Sequence, residues 1–278
     1  MKTHFSVGKV SSEFLMLLFV IMVLAPIIWI FIMSLKSNIE IINYPFMLPG
    51  TPKFSNYIES WKKVAFPRLL INTLTVAFYT ITLGAFLCTL SSFALARFNY
   101  FRKLQQVFFV FFISGIFLPS FVLFVPLYII NFKLGFINTY ASLVFPYVGG
   151  VTSVNTLIMV GYIRNVPSSF EEAAAIDGCG IIRIIFNIYV PIIKPVIATV
   201  LLLHFIGVWN EFPLASIMIQ TTSKYTVAFA ASFFKGLYSQ DIAHQTAAIM
   251  IVVIPQLVIF LIFQRYVIEG MTAGSIKG

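Results

Sequence analysis

The run FLMLLFVIMVLAPIIWIFIM, Phe14–Met33, carries no charged residue across twenty positions. A bilayer core about 30 Å thick is crossed by roughly 20 apolar residues wound as a helix. Lipid offers no partner for backbone N–H and C=O groups, so a crossing segment must satisfy them within itself, as a helix does. The run is too long for a signal-peptide core and no small-residue cleavage site follows it, so it is expected to stay in the protein. Leu69–Ala96, Leu104–Phe132 and Leu134–Ile163 are likewise free of charge. Pro195–Ile219 is interrupted only by His204 and Glu211, and Ala247–Gln264 supplies the last run. The pattern predicts an all-α integral membrane protein of six transmembrane helices, over 14–33, 69–96, 104–132, 134–163, 195–219 and 247–264. All six belong to one transmembrane domain, 1–278.

Composition closes off the soluble alternative. Hydrophobic residues make up 60% of the chain and charged residues 10%, against about 25% charged in soluble domains. A soluble core of this size would also need a polar coat. The net charge of +9 does not point to nucleic acid, because no basic stripe or zinc-finger spacing accompanies it. Cys88 and Cys179 show neither metal-ligand nor disulfide-framework spacing and read as free thiols.

Six spans put both termini on one side. With that side cytoplasmic, internal segments hold ten Lys/Arg and external ones eight. The short link RFNYFRK, Arg97–Lys103, packs three cations between adjacent spans, where the positive-inside rule counts most. External segments are then Ser34–Arg68, a tight turn near Lys133, and Gln220–Thr246. Within the first, YPFMLPGTPKFSNY reads as extended loop. Pro26, Pro119, Pro126, Pro146 and Pro255 fall inside the spans and are expected to kink them.

Between the fourth and fifth spans, RNVPSSFEEAAAIDGCGIIRIIFNIYVP (Arg164–Pro191) breaks the apolar text. Ser168 with Glu171, or Ser169 with Glu172, has capping-box spacing for a helix start. Ala173–Ala175 continue the helix, and Asp177-Gly178 ends it with a residue suited to the left-handed conformation. A second helix, Ile181–Tyr189, runs to Pro191. Short helices need something to pack against, and two readings stand: a docking surface for a cytoplasmic partner, or an amphipathic hairpin resting on its own bundle or on headgroups.

Glu172-Ala173-Ala174, then Gly178, then Ile188-Tyr189-Val190-Pro191 follow the spacing E-A-A-x3-G-x9-I-x-L-P across 20 positions, with valine for the leucine. This resembles the EAA signature of the inner-membrane permease subunits of binding-protein-dependent ABC importers. Ser34-Leu35-Lys36, Tyr44-Pro45-Phe46, Asn72-Thr73, Trp209-Asn210-Glu211-Phe212 and the closing GMTAGSIKG extend the likeness over nearly the whole chain. They resemble the carbohydrate-importing branch, in particular the second permease of the maltose type. The resemblance implies a type I importer permease in a bacterial cytoplasmic membrane. A second related permease would pair with it as a heterodimer, two ATP-binding cassette subunits would sit beneath, and an extracytoplasmic sugar-binding protein would deliver substrate. The loop 164–194 would then be a cytoplasmic coupling-helix hairpin, with Glu171, Glu172, Ala173, Ala174, Asp177, Gly178, Ile188 and Pro191 at or near an ATPase cleft. ATP and Mg belong to those partners: a phosphate loop needs G-x4-G-K-[ST], and none occurs in this sequence. No cofactor or metal is expected on this chain, and it is not an enzyme.

By its residues alone Glu171 reads as a helix-capping group, and Glu172 as either a cap or a partner contact. Glu211 lies about 24 Å along its span from Pro195 at 1.5 Å per residue. With Trp209 and Asn210 it is a candidate for an external gate or sugar path; an interfacial anchor is the other reading. Asn72 reads as an interhelical hydrogen-bonding group or a path-lining one. His204 has no second ligand at metal spacing and reads as a hydrogen-bonded packing residue. The rival function is an ion-gradient-driven secondary transporter; the scarcity of mid-membrane acids and the lack of a visible inverted repeat weigh against it. An intramembrane enzyme would need convergent nucleophile, base or metal ligands, which the spans do not offer.

Overall fold

A computed structural model describes residues 7–98, 102–236 and 240–273, with side chains over 12–98, 102–236 and 240–265. Parts of the basic link (99–101) and of the closing glycine-rich run (274–278) lie outside the described residues. The described residues are almost entirely helical, with one isolated antiparallel bridge, Lys235 to Gln240. Ser12–Ser34, Phe66–Arg97, Ala141–Arg164 and Ile242–Arg265 are each long and apolar enough to cross a bilayer. Two further apolar pairs are bent: Arg102–Phe117 with Ser120–Lys133, by 101°, and Ile181–Ile192 with Lys194–Asn210, by 82°.

The chain falls into two compact units. The smaller comprises the residues up to Phe66 with Ala230–Ile254. It holds α1 (Val7–Ser34), α2 (Asn38–Asn43), α3 (Ser55–Val64) and the opening of the last helix. From Phe14 to Met33 the side chains of α1 are apolar and largely uncovered, Phe14 and Met22 being 65% and 74% exposed, as a helix bathed in lipid requires. Of the expected loop Tyr44–Tyr57, the part up to Phe54 is irregular and Ser55–Tyr57 already belong to α3, while α2 precedes it. Ser37 and Glu40 form a capping box that starts α2. Lys36 is buried, with its ammonium on the carbonyls of Tyr44 (2.8 Å) and Pro45 (3.4 Å).

Asn38 ties α2 to the start of the last helix: its Nδ2 donates to Asp241 (2.9 Å) and its Oδ1 accepts from Ala243 N (2.9 Å). His244 lies between Asp241 (2.7 Å) and Glu59 (2.9 Å). Burial pushes the Asp241 carboxyl up, but hydrogen bonds from Asn38 and His244 outweigh it and leave the group below its ordinary value. A depressed carboxyl adds stability above the unfolded value and loses it as pH falls through the folded one. Acidification through that depressed range is therefore expected to lower the protection of the Ala243 amide relative to its intrinsic exchange rate at each pH; unchanged protection would remove Asp241 as a tether.

The larger unit comprises Pro67–Phe229 with the residues from Pro255 onward. It holds α4 (Phe66–Arg97), α5 (Arg102–Ser114), α6 (Phe124–Lys133), α7 (Ala141–Arg164), α8 (Ser169–Ile176), α9 (Ile181–Ile184), α10 (Val190–Ile192), α11 (Lys194–Asn210) and α12 (Pro213–Met218). The last helix, α13 (Ile242–Ala273), overruns its expected span at both ends. Three expected spans are corrected. The third is not one helix: Leu118 and Pro119 are extended (ψ 115° and 129°) between short 3₁₀ turns. Proline bars the α-region to its predecessor and removes an N–H, so the helix stops there. Pro126 lies in the first turn of α6 and breaks nothing, because that N–H has no helical partner anyway. The fourth span begins only at Ala141, since Gly135 (φ 70°) and Asn138 (φ 61°) take left-handed conformations that end the preceding helix and make the turn. The fifth breaks at Glu211, which is extended (ψ 107°).

Close approach of α4 to α11 depends on Gly84. A Cβ there would meet His204 Cε1 at 2.5 Å. His204 is buried as expected of a packing residue, but neither ring nitrogen makes a hydrogen bond of normal geometry; the Tyr147 backbone is the polar group that interacts with it.

Candidate functional site

The hairpin between α7 and α11 is built on its own sequence. The start of α8 departs from expectation. Ser168 is the N-cap residue but has helical backbone (φ −66°, ψ −19°), and its side chain makes no capping bond. A capping hydroxyl reaches the N2 or N3 amide from an extended backbone, so neither expected capping box forms. Gly178 ends the helix at φ +75°, as the sequence requires. The return leg is α9, then a π-helical stretch Ile185–Tyr189, then α10, which continues through Pro191 instead of stopping there. Proline forfeits an i−4 bond and crowds that carbonyl; a widened turn just before it absorbs both effects.

Freed from capping, Glu171 turns inward. Its carboxylate accepts a hydrogen bond from Tyr189 Oη (2.9 Å) and pairs with Arg97 at 3.8 Å. Arg97 donates to the carbonyls of Ile163 (2.8 Å) and Val166 at the end of α7. Its guanidinium also lies 5.3 Å above the centre of the Tyr189 ring. One side chain from the end of α4 thus fastens α7, α8 and the return leg. Beneath it an apolar cluster unites Cys88, Phe93, Met159, Ile163, Ala174, Ile184, Tyr189 and Ile193, with Ile188 packed at its edge. Phe93 meets the Tyr189 ring edge-on at 4.9 Å.

The other hairpin residues separate cleanly. Ala174 is buried, whereas Glu172, Ala173, Ala175, Asp177 and Pro191 are exposed. Nothing lies within 4 Å of where a Gly178 Cβ would stand. One face is therefore anchored and the tip is open. Cys179 and Cys88 are free thiols, and no cluster of metal-ligating side chains occurs among the described residues.

The residues of the second group expected from the sequence differ in their surroundings. Trp209 is 2% exposed and packs on Phe205 at 5.3 Å between ring centres, so it neither anchors at an interface nor faces solvent. Asn210 is exposed and returns its amide to Ile206 O. Asn72 is committed three times, donating to Ser223 O (2.9 Å) and Tyr225 O (2.8 Å) and accepting from Tyr140 Oη (2.7 Å). Glu211 occupies the break between α11 and α12. Its two oxygens accept from Leu214 N (2.7 Å) and Ala215 N (3.0 Å), which start α12, and from Tyr147 Oη. Sequence reasoning missed Arg97, Tyr189 and Tyr147. Arg97 was legible as a basic flank and in the branch-like run Ala94–Arg97, Tyr189 as a free position of the EAA-like spacing, and Tyr147 carried no signal.

The chain matches a solved bacterial ABC transporter "involved in the import of the acidic polysaccharide alginate" with TM-score 0.76 and 23% identity, over 95% of this chain and 99% of the other. This chain belongs to the family of binding-protein-dependent transport system inner membrane components, whose model matches residues 89–272. It is 29% identical to the diacetylchitobiose uptake system permease protein NgcG of Streptomyces coelicolor, over 96% of this chain and 88% of that one. It is also 29% identical to the trehalose/maltose transport system permease protein MalG of Thermococcus litoralis, over 94% of each. The protein is thus a multi-pass plasma-membrane component of an ABC importer, a permease and not itself an enzyme.

Proposed function

We propose that residues 1–278 form one permease domain that lines half of a translocation path for a sugar or oligosaccharide. Each bent pair counts with its neighbours toward six spans, both termini and the 164–194 hairpin are cytoplasmic, and the breaks at Pro119 and Glu211 lie within the membrane region. A second related permease completes the path as a heterodimer, an extracytoplasmic sugar-binding protein delivers substrate, and two separate ATP-binding subunits hydrolyse Mg-ATP. The saccharides in the relatives' names support the substrate class. The hairpin is the coupling element: Glu172, Ala173, Asp177 and Gly178 form its ATPase-facing tip, while Glu171, Ala174 and Ile188 hold it to the bundle and Pro191 closes the return leg.

The observation that carries this reading is the asymmetry of the hairpin. A rigid inner face clamped by Arg97 transmits displacement, and an open tip of small side chains accepts a close partner. An amphipathic hairpin at rest on headgroups would need no such clamp. Gly178→Asp tests it. A side chain there meets nothing in this chain, and the left-handed backbone strains it by about 1 kcal/mol, too little to unfold the protein. The variant is expected to reach the membrane in normal amount and to lose uptake while the ATPase subunits still turn over ATP. Full uptake would remove the coupling role.

A further inference from the structure

The corner where α4 gives way to α5 carries two adjoining depressions of opposite character. One is an apolar groove of about 510 Å³ lined by Leu95, Phe98, Leu104, Phe108 and Phe112 among others. This falls within the roughly 300–1,000 Å³ of small-molecule sites. The other is a polar recess lined by Arg102, Arg164 and Gln106 with the edge of Phe109. Gln105 lines both. The helix explains the juxtaposition. At about 100° per residue, Leu104, Phe108 and Phe112 share one stripe of α5, and Arg102, Gln106 and Phe109 the next, with Gln105 on the line between them. Gln105 is pinned there by donating to Leu95 O.

The two arginines of the recess are exposed. No carboxylate pairs with either among the described residues, where the arginine ion pair found is Arg97 with Glu171. Arg164 is instead held over the Phe109 ring at 5.1 Å, which fixes its guanidinium beside the recess. Two positive charges on one recess, that of Arg164 held over a ring, call for an anion, and the adjoining groove calls for a hydrocarbon. From Arg102 to Phe112 the helix rises about 15 Å, running from the charged corner into the apolar span. One molecule with an anionic head and an apolar tail satisfies both.

We propose that this corner binds an anionic phospholipid, its phosphate on Arg102 and Arg164 and one acyl chain in the Leu104–Phe108–Phe112 groove. The site is separate from the hairpin tip, and the inference goes beyond the transport reading and does not depend on it. An acidic protein partner would meet the arginines but would leave the groove unexplained.

The test uses the full chain, purified and titrated with phosphatidylglycerol or with phosphatidylcholine of the same acyl chains, and read by native mass spectrometry. Phosphatidylglycerol is expected to be retained at least about tenfold more tightly, since each basic residue contributes roughly 1 kcal/mol toward an anionic lipid. Arg102→Gln with Arg164→Gln should abolish that preference, and Arg102→Lys with Arg164→Lys should keep most of it. Soluble glycerol 3-phosphate should not displace the lipid. Equal retention of the two lipids by the unaltered chain would overturn the proposal, and this arm needs no variant to fold. Displacement by glycerol phosphate would show a phosphate site without a tail. A double glutamine variant that keeps its lipid preference but loses an associated protein would assign the corner to that protein.

Discussion

Arg97→Ala is expected to leave the chain in the membrane and to cut uptake by about 10- to 100-fold, the range of a coupling free energy of roughly 1–3 kcal/mol. The argument lies in which contacts of the side chain matter. Its pair with Glu171 is 3.8 Å long, beyond hydrogen-bond reach, and so lacks the charge-assisted hydrogen bond that makes such pairs strong. The bonds to Ile163 O and Val166 O are charge-assisted, each worth roughly 1.5–3 kcal/mol. Ile163 O also accepts from Val166 N (3.1 Å), so Arg97 reinforces a turn that the backbone has begun. The two bonds that Nη2 makes at the end of α7, more than the ion pair, therefore fix the hairpin. Two consequences separate these contributions. Arg97→Lys should keep more uptake than Arg97→Ala, because both carbonyl bonds leave one nitrogen, Nη2, and an ammonium has three donors, although it cannot lie flat on Tyr189. Glu171→Gln should cost little, because the amide oxygen still accepts from Tyr189 Oη. Uptake and ATP hydrolysis measured on the assembled importer decide the matter: hydrolysis without uptake in Arg97→Ala supports a slack joint. A Glu171→Gln defect as large as that of Arg97→Ala would transfer the role to the ion pair.

This joint was only half legible in the sequence. The spacing from Glu172 to Pro191 located the hairpin, and Asp177-Gly178 located its turn, because a left-handed residue is a local requirement that local sequence can announce. The assignment of Glu171 failed for the opposite reason. A capping box and an inward ion pair use the same residue at the same spacing. The choice between them was made by Tyr189, 18 positions on, and by Arg97 on another helix. Long-range partners leave no local trace in a single sequence.

The fold shows the same division. Uncharged runs announced the spans, since exclusion from water is a property of composition. Where each helix stops was less legible, because proline has different effects at different positions. Pro26, Pro146 and Pro255 sit inside intact helices, Pro126 in a first turn does no harm, and Pro119 breaks its span. Nor did the sequence distinguish a charge at the end of a span from a charge at a break within one. Glu211 was read along an unbroken helix, and the extended backbone beside it is what gives the carboxylate its purpose.

Glu211→Ala is expected to lower uptake and thermal stability together. In this break the carboxylate holds the first amides of α12, Leu214 N on one oxygen and Ala215 N on the other, and Tyr147 donates to the second oxygen as well. Amides at a helix start have no partner inside the helix, and lipid would supply none. Removing the carboxylate leaves two buried donors unsatisfied, at roughly 1–3 kcal/mol each. Glu211→Gln should be intermediate. Its oxygen can serve the Ala215 and Tyr147 side, but its NH₂ then faces the Leu214 amide, donor against donor. Tyr147→Phe should be mildest, because both backbone bonds survive. The order of melting temperatures is therefore unaltered chain, Tyr147→Phe, Glu211→Gln, Glu211→Ala, with uptake in the same order. A charge that acted on passing sugar would give a different pattern: Glu211→Gln would lose uptake as fully as Glu211→Ala, and neither variant would melt early. Unchanged melting in Glu211→Ala would thus remove the carboxylate from the architecture of the fifth span and return it to the path.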